Sequence, residues 1–184
     1  MEYIDYYFWM GSAWTLLGAD RLEVVAACHG AGIKYYPIDY PAVCSRTGGA
    51  LPDEWPRERQ AYRIADLKRW CSRLSLPLNP SPKHVCRDVG LASRIVIAAS
   101  QLGVQVHPLY RAILWAQWCD DQDISDEATL RSVLHGLRLD DVQLIREASS
   151  PSAKQIFREY TEKAVAAGVF GVLSYVYEDA LFHG

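Results

Sequence analysis

Tyr3 to Trp9 is aromatic and isoleucine-rich, too short for a helix and too poor in polar alternation for a half-exposed strand, which predicts a buried one. From Ser12 the period changes. Leu16, Leu17, Leu22, Val24, Val25 and Cys28 recur at helical spacing, and Gly30 and Gly32 supply a stop. Ile33 to Tyr40 is again short and β-prone, with Pro37 confining it to a sheet edge or breaking it, and a polar loop is expected from Pro41 to Pro56. Strand, sharp turn, helix and strand form a βαβ unit, for which parallel pairing is the default.

From Arg57 to Ala167 helical periodicity is almost continuous, divided by Pro77, Pro80 and Pro82 and by Gly103 with Pro108. Ser125 ahead of Asp126 and Glu127, and Ser150 ahead of Pro151, mark helix starts. The last helix is expected from Pro151 to about Ala167, with Gly168 as a left-handed terminator. Val169 to Tyr177, a turn at Glu178 and Asp179, and Ala180 to Phe182 then read as a closing hairpin. The expected class is α/β, with a helical insertion at about 57–150 between the βαβ unit and the C-terminal hairpin. The 184 residues fit one domain, 1–184.

Several function classes fall away. Lys and Arg are scattered and offset by acids, for a formal charge of -3, so there is no basic footprint for nucleic acid. No apolar run approaches the roughly 20 residues that span a bilayer, and the acidic start, Met1 to Asp5, lacks the pattern of a signal peptide; a cytoplasmic protein is expected. The five cysteines, Cys28, Cys44, Cys71, Cys86 and Cys119, include no pair two residues apart, which argues against a disulfide framework, a zinc knuckle and a Cys-x-x-Cys redox site. They are expected to be reduced and packed as small apolar groups, Cys44 being the most exposed. The five histidines are isolated, His84 with Cys86 lacks a further ligand pair, and no metal site is expected.

Ser12 stands where the first strand gives way to the first helix, a junction that gathers free backbone N–H groups and the positive end of the helix dipole. A thiolate or carboxylate would be stabilised there; equally, the Ser12 oxygen could cap its own helix. Gly11-Ser12-Ala13 is not a Gly-x-Ser-x-Gly elbow and no triad partner can be assigned, so acyl transfer is not indicated. Trp9, Met10 and Trp14 flank the junction as candidates to line a pocket for a planar aromatic substrate, although core packing is the commoner role for such a cluster. Trp115 and Trp118, one helical turn apart, fit a helix core or a subunit interface.

The chain resembles, over nearly its whole length, the family of 2-hydroxychromene-2-carboxylate isomerases and kappa-class glutathione transferases. The resemblance is collinear: Asp5-Tyr6-Tyr7-Phe8, Ser12-Ala13-Trp14-Thr15 with Arg21-Leu22, Ala61-Tyr62 with Asp66-Leu67 and Arg69-Trp70, Arg111-Ala112 and Trp118, Asp123-Ile124-Ser125-Asp126, Glu162, Ala164-Val165-Ala166, and Gly168-Val169-Phe170-Gly171-Val172. It implies a thioredoxin-like fold related to the bacterial disulfide oxidoreductases, with Ser12 replacing the redox cysteine and its hydroxyl facing the thiol of glutathione. It further implies a homodimer acting on a small aromatic substrate, either as the isomerase or as a kappa-like transferase.

The departures imply changed glutathione contacts. Family members carry a cis-proline where this chain has Leu173, so a trans bond is expected after Val172, since a non-proline cis bond costs about 3 kcal/mol. Gly49 or Ala50 replaces the usual asparagine, and Arg59 takes the place of the downstream basic residue. Phe182-His183-Gly184 stands where the family continues to an aspartate for the γ-glutamyl group. A non-catalytic binding protein that keeps the fold is the alternative these departures raise.

Overall fold

A computed structural model of the chain describes residues 2–85 and 88–184. Cys86, and with it the pairing considered for His84, lies outside the described residues. Four strands, β1 (Tyr3–Phe8), β2 (Gly32–Pro37), β3 (Ser174–Tyr177) and β4 (Ala180–His183), form one sheet in the order β2-β1-β3-β4. β1 and β2 are parallel, whereas β1 with β3 and β3 with β4 are antiparallel. Pro37 closes an edge strand, where a missing N–H costs no ladder bond.

The central strand is buried on both faces, as its composition predicts. Tyr6 and Phe8 stack at 4.8 Å on one side and join the main core with helix α1 (Ala13–Cys28). Tyr7, on the other side, packs with Ile38, Val43, Ala164 and Val169. The alternation of a strand thus sends successive aromatic rings into two different cores.

Between β2 and β3 lie α2 (Tyr40–Thr47), α3 (Arg57–Leu74), α4 (Gly90–Gln101), α5 (Val106–Trp118), α6 (Glu127–Gly136), α7 (Asp141–Ser149) and α8 (Pro151–Ala166). Together with the sheet this is the thioredoxin-like arrangement with a helical insertion. α4 and α5 carry the main core, and α8 with α2 covers the Tyr7 face. The end of α8 agrees with the expected stop: Gly168, at φ +78°, adopts the left-handed backbone that glycine accepts without a Cβ clash. The 178–179 turn takes positive φ at both residues, as a two-residue hairpin of the right twist requires.

Three local expectations need correction. The stretch 41–56 is not simply a loop, because α2 occupies its first half; Asp39 caps it through Ala42 N at 3.2 Å, and Val43 is held in the second core. Cys44 is therefore buried at 4% exposure, and the exposed thiol is Cys28. Proline and paired glycines hid a short helix that tertiary burial holds in place. The cap of α6 is Asp126, whose carboxylate accepts from Ala128 N, and not Ser125. Among the described residues no helix is long and apolar enough to cross a membrane.

Candidate active site

β1 ends at Phe8, and Trp9 to Ser12 turn the chain into α1. The turn is held by Trp9 O, which accepts from Ser12 N at 3.1 Å and from the Thr15 hydroxyl at 3.0 Å, while Ser12 O accepts from Thr15 N at 3.1 Å. Ser12 has the extended backbone of an N-cap, φ -101° and ψ 124°, but its side chain caps nothing. Among the described residues its hydroxyl has no hydrogen-bond partner, and the amides of Ala13 and Trp14 have no acceptor. Ser12 is only 6% exposed as a residue, and its unpartnered hydroxyl lies with two unused N–H groups at the same helix start.

Loop 169–173 reaches the same end of the sheet. Ser174 pairs with Tyr7 antiparallel, which carries Leu173 and Val172 toward the C-terminal end of β1. The Val172–Leu173 peptide is cis, correcting the expected trans bond. The trans preference belongs to an isolated peptide; here the Leu173 side chain is buried against Gly18 of α1, and its carbonyl accepts from Gly184 N at 3.3 Å and contacts His183 Nδ1 at 2.9 Å. The Val172 N–H and C=O, in the bend before β3, have no partner among the described residues and are left for another group to bond.

The third wall comes from α2 and the start of α3. Trp9 packs on Tyr40 at 5.6 Å between ring centres, and burial pushes the Tyr40 hydroxyl well above its ordinary pKa, with the Cys44 thiol raising it further and Arg59 opposing. Burial likewise pushes the Cys44 thiol up, so it is no ready nucleophile. Arg59 is exposed and lies 3.9 Å over the Trp55 ring. A side chain at Gly49 would meet Cys44 Sγ at 3.0 Å, and Ala50 offers only its carbonyl, which Trp55 Nε1 uses at 2.9 Å. Of the residues named as pocket lining, Met10 is fully buried, Trp9 nearly so, and Trp14 half-buried. Trp118 is buried in the main core, with Trp115 packed against it.

The family model of the DSBA-like thioredoxin domain matches residues 3–184. The chain belongs to this family. It is 28% identical over 184 residues to a 2-hydroxychromene-2-carboxylate isomerase of Sphingobium xenophagum, a match covering 98% of this chain and 91% of that protein. A 2-hydroxychromene-2-carboxylate isomerase of Pseudomonas sp. strain C18 is 27% identical over 184 residues, covering 98% and 84%. A solved 2-hydroxychromene-2-carboxylate isomerase superposes with a TM-score of 0.86 at 23% identity, over 99% of this chain and 88% of that one.

Two features of this DSBA-like domain have no signal in the sequence. On the outer side of α1, Asp20 accepts from Arg111 Nε at 3.1 Å and meets His107 Nε2 at 3.0 Å, beside a recess of about 380 Å³ that Pro108 and Leu137 help to line. Beneath α1, the rings of Tyr6, Tyr35, Tyr110 and Tyr175 converge, with centres 5.2 to 6.4 Å from Tyr6. Burial and the neighbouring phenols raise the Tyr6 pKa, and the Tyr110 hydroxyl is buried with no partner among the described residues. Asp20 is 87 positions from His107, and the four tyrosines come from four different elements. Only folding unites them.

Proposed function

We propose that this chain is an isomerase of the 2-hydroxychromene-2-carboxylate type, acting on a small aromatic conjugated oxo acid, with Ser12 orienting a thiol. The observation that carries the reading is the hydroxyl of the nearly buried Ser12, uncapping and without a partner among the described residues at the start of α1. The names of the relatives support the reaction class, and the resemblance around Ser12 supports the thiol.

The residues at the junction fit the thiol and backbone of glutathione, although Gly49 and Ala50 lack the side chain that the family uses elsewhere on it. Held there, glutathione would supply a thiolate as the nucleophile for reversible addition to a conjugated carbon. Ser12 Oγ–H donates to the sulfur, and the Ala13 and Trp14 amides with the helix dipole favour its anionic form. Val172 offers its N–H and C=O to the peptide, and Arg59 offers a cation to a carboxylate. Trp14 presents a flat apolar wall to an aromatic ring.

Turnover of a 2-hydroxychromene-2-carboxylate, with and without glutathione, tests the reading. The expected result is glutathione-stimulated formation of the open-chain trans isomer, and equal turnover by wild type and Ser12→Ala would remove Ser12 from the mechanism. A conjugate as product instead of an isomer would make the chain a kappa-like transferase. Calorimetry with glutathione is expected to show micromolar-to-millimolar binding, and no heat at millimolar ligand would leave a cofactor-free enzyme or a binding protein. A cytoplasmic homodimer accompanies the reading, and a monomer in sedimentation would count against it.

A further inference from the structure

Arg59, Arg63, Leu67 and Cys71, each four residues after the last, lie on one stripe of α3 that is exposed at Arg59 and turns inward at Leu67 and Cys71. Leu67 and Cys71 are buried, as an inward stripe requires. Arg63 breaks the pattern: it is a half-buried guanidinium one turn above Leu67. Among the described residues it has no carboxylate or carbonyl partner, whereas Arg94, the other arginine whose burial pushes its pKa down, donates to Ala148 O at 2.8 Å. Burial, the single influence at work on it, pushes its pKa down. A cation placed this way costs desolvation that no ion pair or hydrogen bond among the described residues repays.

What Arg63 does meet is the ring of Trp118, 5.9 Å from its centre. An aromatic face engages the flat of a guanidinium and leaves the in-plane N–H donors unused. The Trp118 indole N–H is itself buried with no acceptor among the described residues, so the pair holds donors without acceptors. Trp118 belongs to the same buried cluster as Trp9, Met10 and Ala13, and Arg59, one turn away, acts on the Tyr40 that packs against Trp9. Arg59 thus reaches the Tyr40 wall of the Ser12 site, and Arg63 stands one turn further along the same stripe.

We propose that Arg63 is a carboxylate-binding residue that takes the acid group of the substrate in a bidentate pair above Trp118, while Arg59 is left to the peptide. The choice of a planar aromatic acid as ligand rests on the isomerase reading above; the vacancy at Arg63 does not. A free peptide carboxylate has the same chemistry, so the test separates the two sources.

Wild type, Arg63→Gln and Arg63→Lys are titrated calorimetrically with trans-cinnamate, methyl trans-cinnamate and reduced glutathione, and melted in parallel. Arg63→Gln is expected to weaken cinnamate binding about tenfold or more, because a charge-assisted pair is lost, and Arg63→Lys to weaken it less, because the charge remains without the fork. Binding of the methyl ester and of glutathione should not change, and Tm should hold or rise, since an unpaired cation has been removed. The proposal is overturned if wild type binds no cinnamate at millimolar concentration, if acid and ester weaken together, if glutathione weakens and cinnamate does not, or if Tm falls while every affinity stays the same. Loss of the isomerase reading is seen separately: absence of 2-hydroxychromene-2-carboxylate turnover alongside Arg63-dependent cinnamate binding removes that reaction and keeps the carboxylate site.

Discussion

Two helices of this protein begin at a serine, and they use it in opposite ways. Ser150 has an extended backbone, φ -64° and ψ 154°, and its hydroxyl accepts from Ala153 N at 3.1 Å. Ser12 has a comparable backbone yet makes no such bond. At α8, Pro151 also removes one of the N–H groups that would need a partner. At α1, Ala13 and Trp14 keep theirs. The start of α8 is closed by its own residues, and the start of α1 is left open to something else. Capping was the commoner role to expect for either serine, and the structure assigns it to one.

The largest effect that tests this contrast is on turnover. Ser12→Ala should lower kcat/KM for a 2-hydroxychromene-2-carboxylate by about 100-fold, the order seen when one oriented donor is lost, with Tm nearly unchanged because no cap is broken. A cysteine scan sharpens the comparison. In a Cys28→Ser background, the thiol introduced by Ser12→Cys should titrate below that introduced by Ser150→Cys by up to about one pH unit, because the first amide of α1, Ala13 N–H, is present where α8 has Pro151. Ultraviolet thiolate absorbance against pH would show it, and equal values would erase the electrostatic distinction between the two helix starts.

Ser150→Ala reverses the pattern: turnover should hold while stability falls by about 1 kcal/mol. For a chain of this size that is a drop in Tm of about 2–4 °C by calorimetry. The smallest effect concerns acid. Neither serine titrates, so acid loss of stability must come from elsewhere, and Asp141 is one source. Its hydrogen bond from Arg131 holds its carboxyl below the usual range, with His135 adding to this and burial opposing. A lowered folded pKa means that the contribution is present above the ordinary carboxylate value, about 4, and is lost as pH falls through the lowered one. Asp141→Asn should flatten that part of a stability-against-pH curve and leave the difference between Ser12→Ala and Ser150→Ala unaltered.

Much of the frame was legible. The buried strand, the turn at Ser12, the helix after it, the Ser150 cap and the Gly168 stop are all dictated by residues adjacent in the chain. Where the reading slipped, a distant partner decided the outcome: α2 is held by Val43 against α8, Cys44 is buried with it, and the Val172–Leu173 bond is cis beside Gly18 and His183. Arg59 was legible from the resemblance, whereas Arg63 was not, because its half-burial beside Trp118 depends on how α3 packs against α5.

The sequence by itself determined the strand-to-helix junction, the class of fold and the identity of the residue at its centre, since periodicity and turn chemistry act over a few residues. Only the tertiary structure decided that the Ser12 hydroxyl stays unused, that the Val172 backbone groups keep no partner among the described residues, and that Arg63, half-buried on α3, meets the Trp118 ring in place of an acid. Each of these is a statement about a missing partner. Partners arrive from positions up to 175 residues apart, as Tyr177 and Glu2 show, over distances at which sequence pattern carries no geometric information.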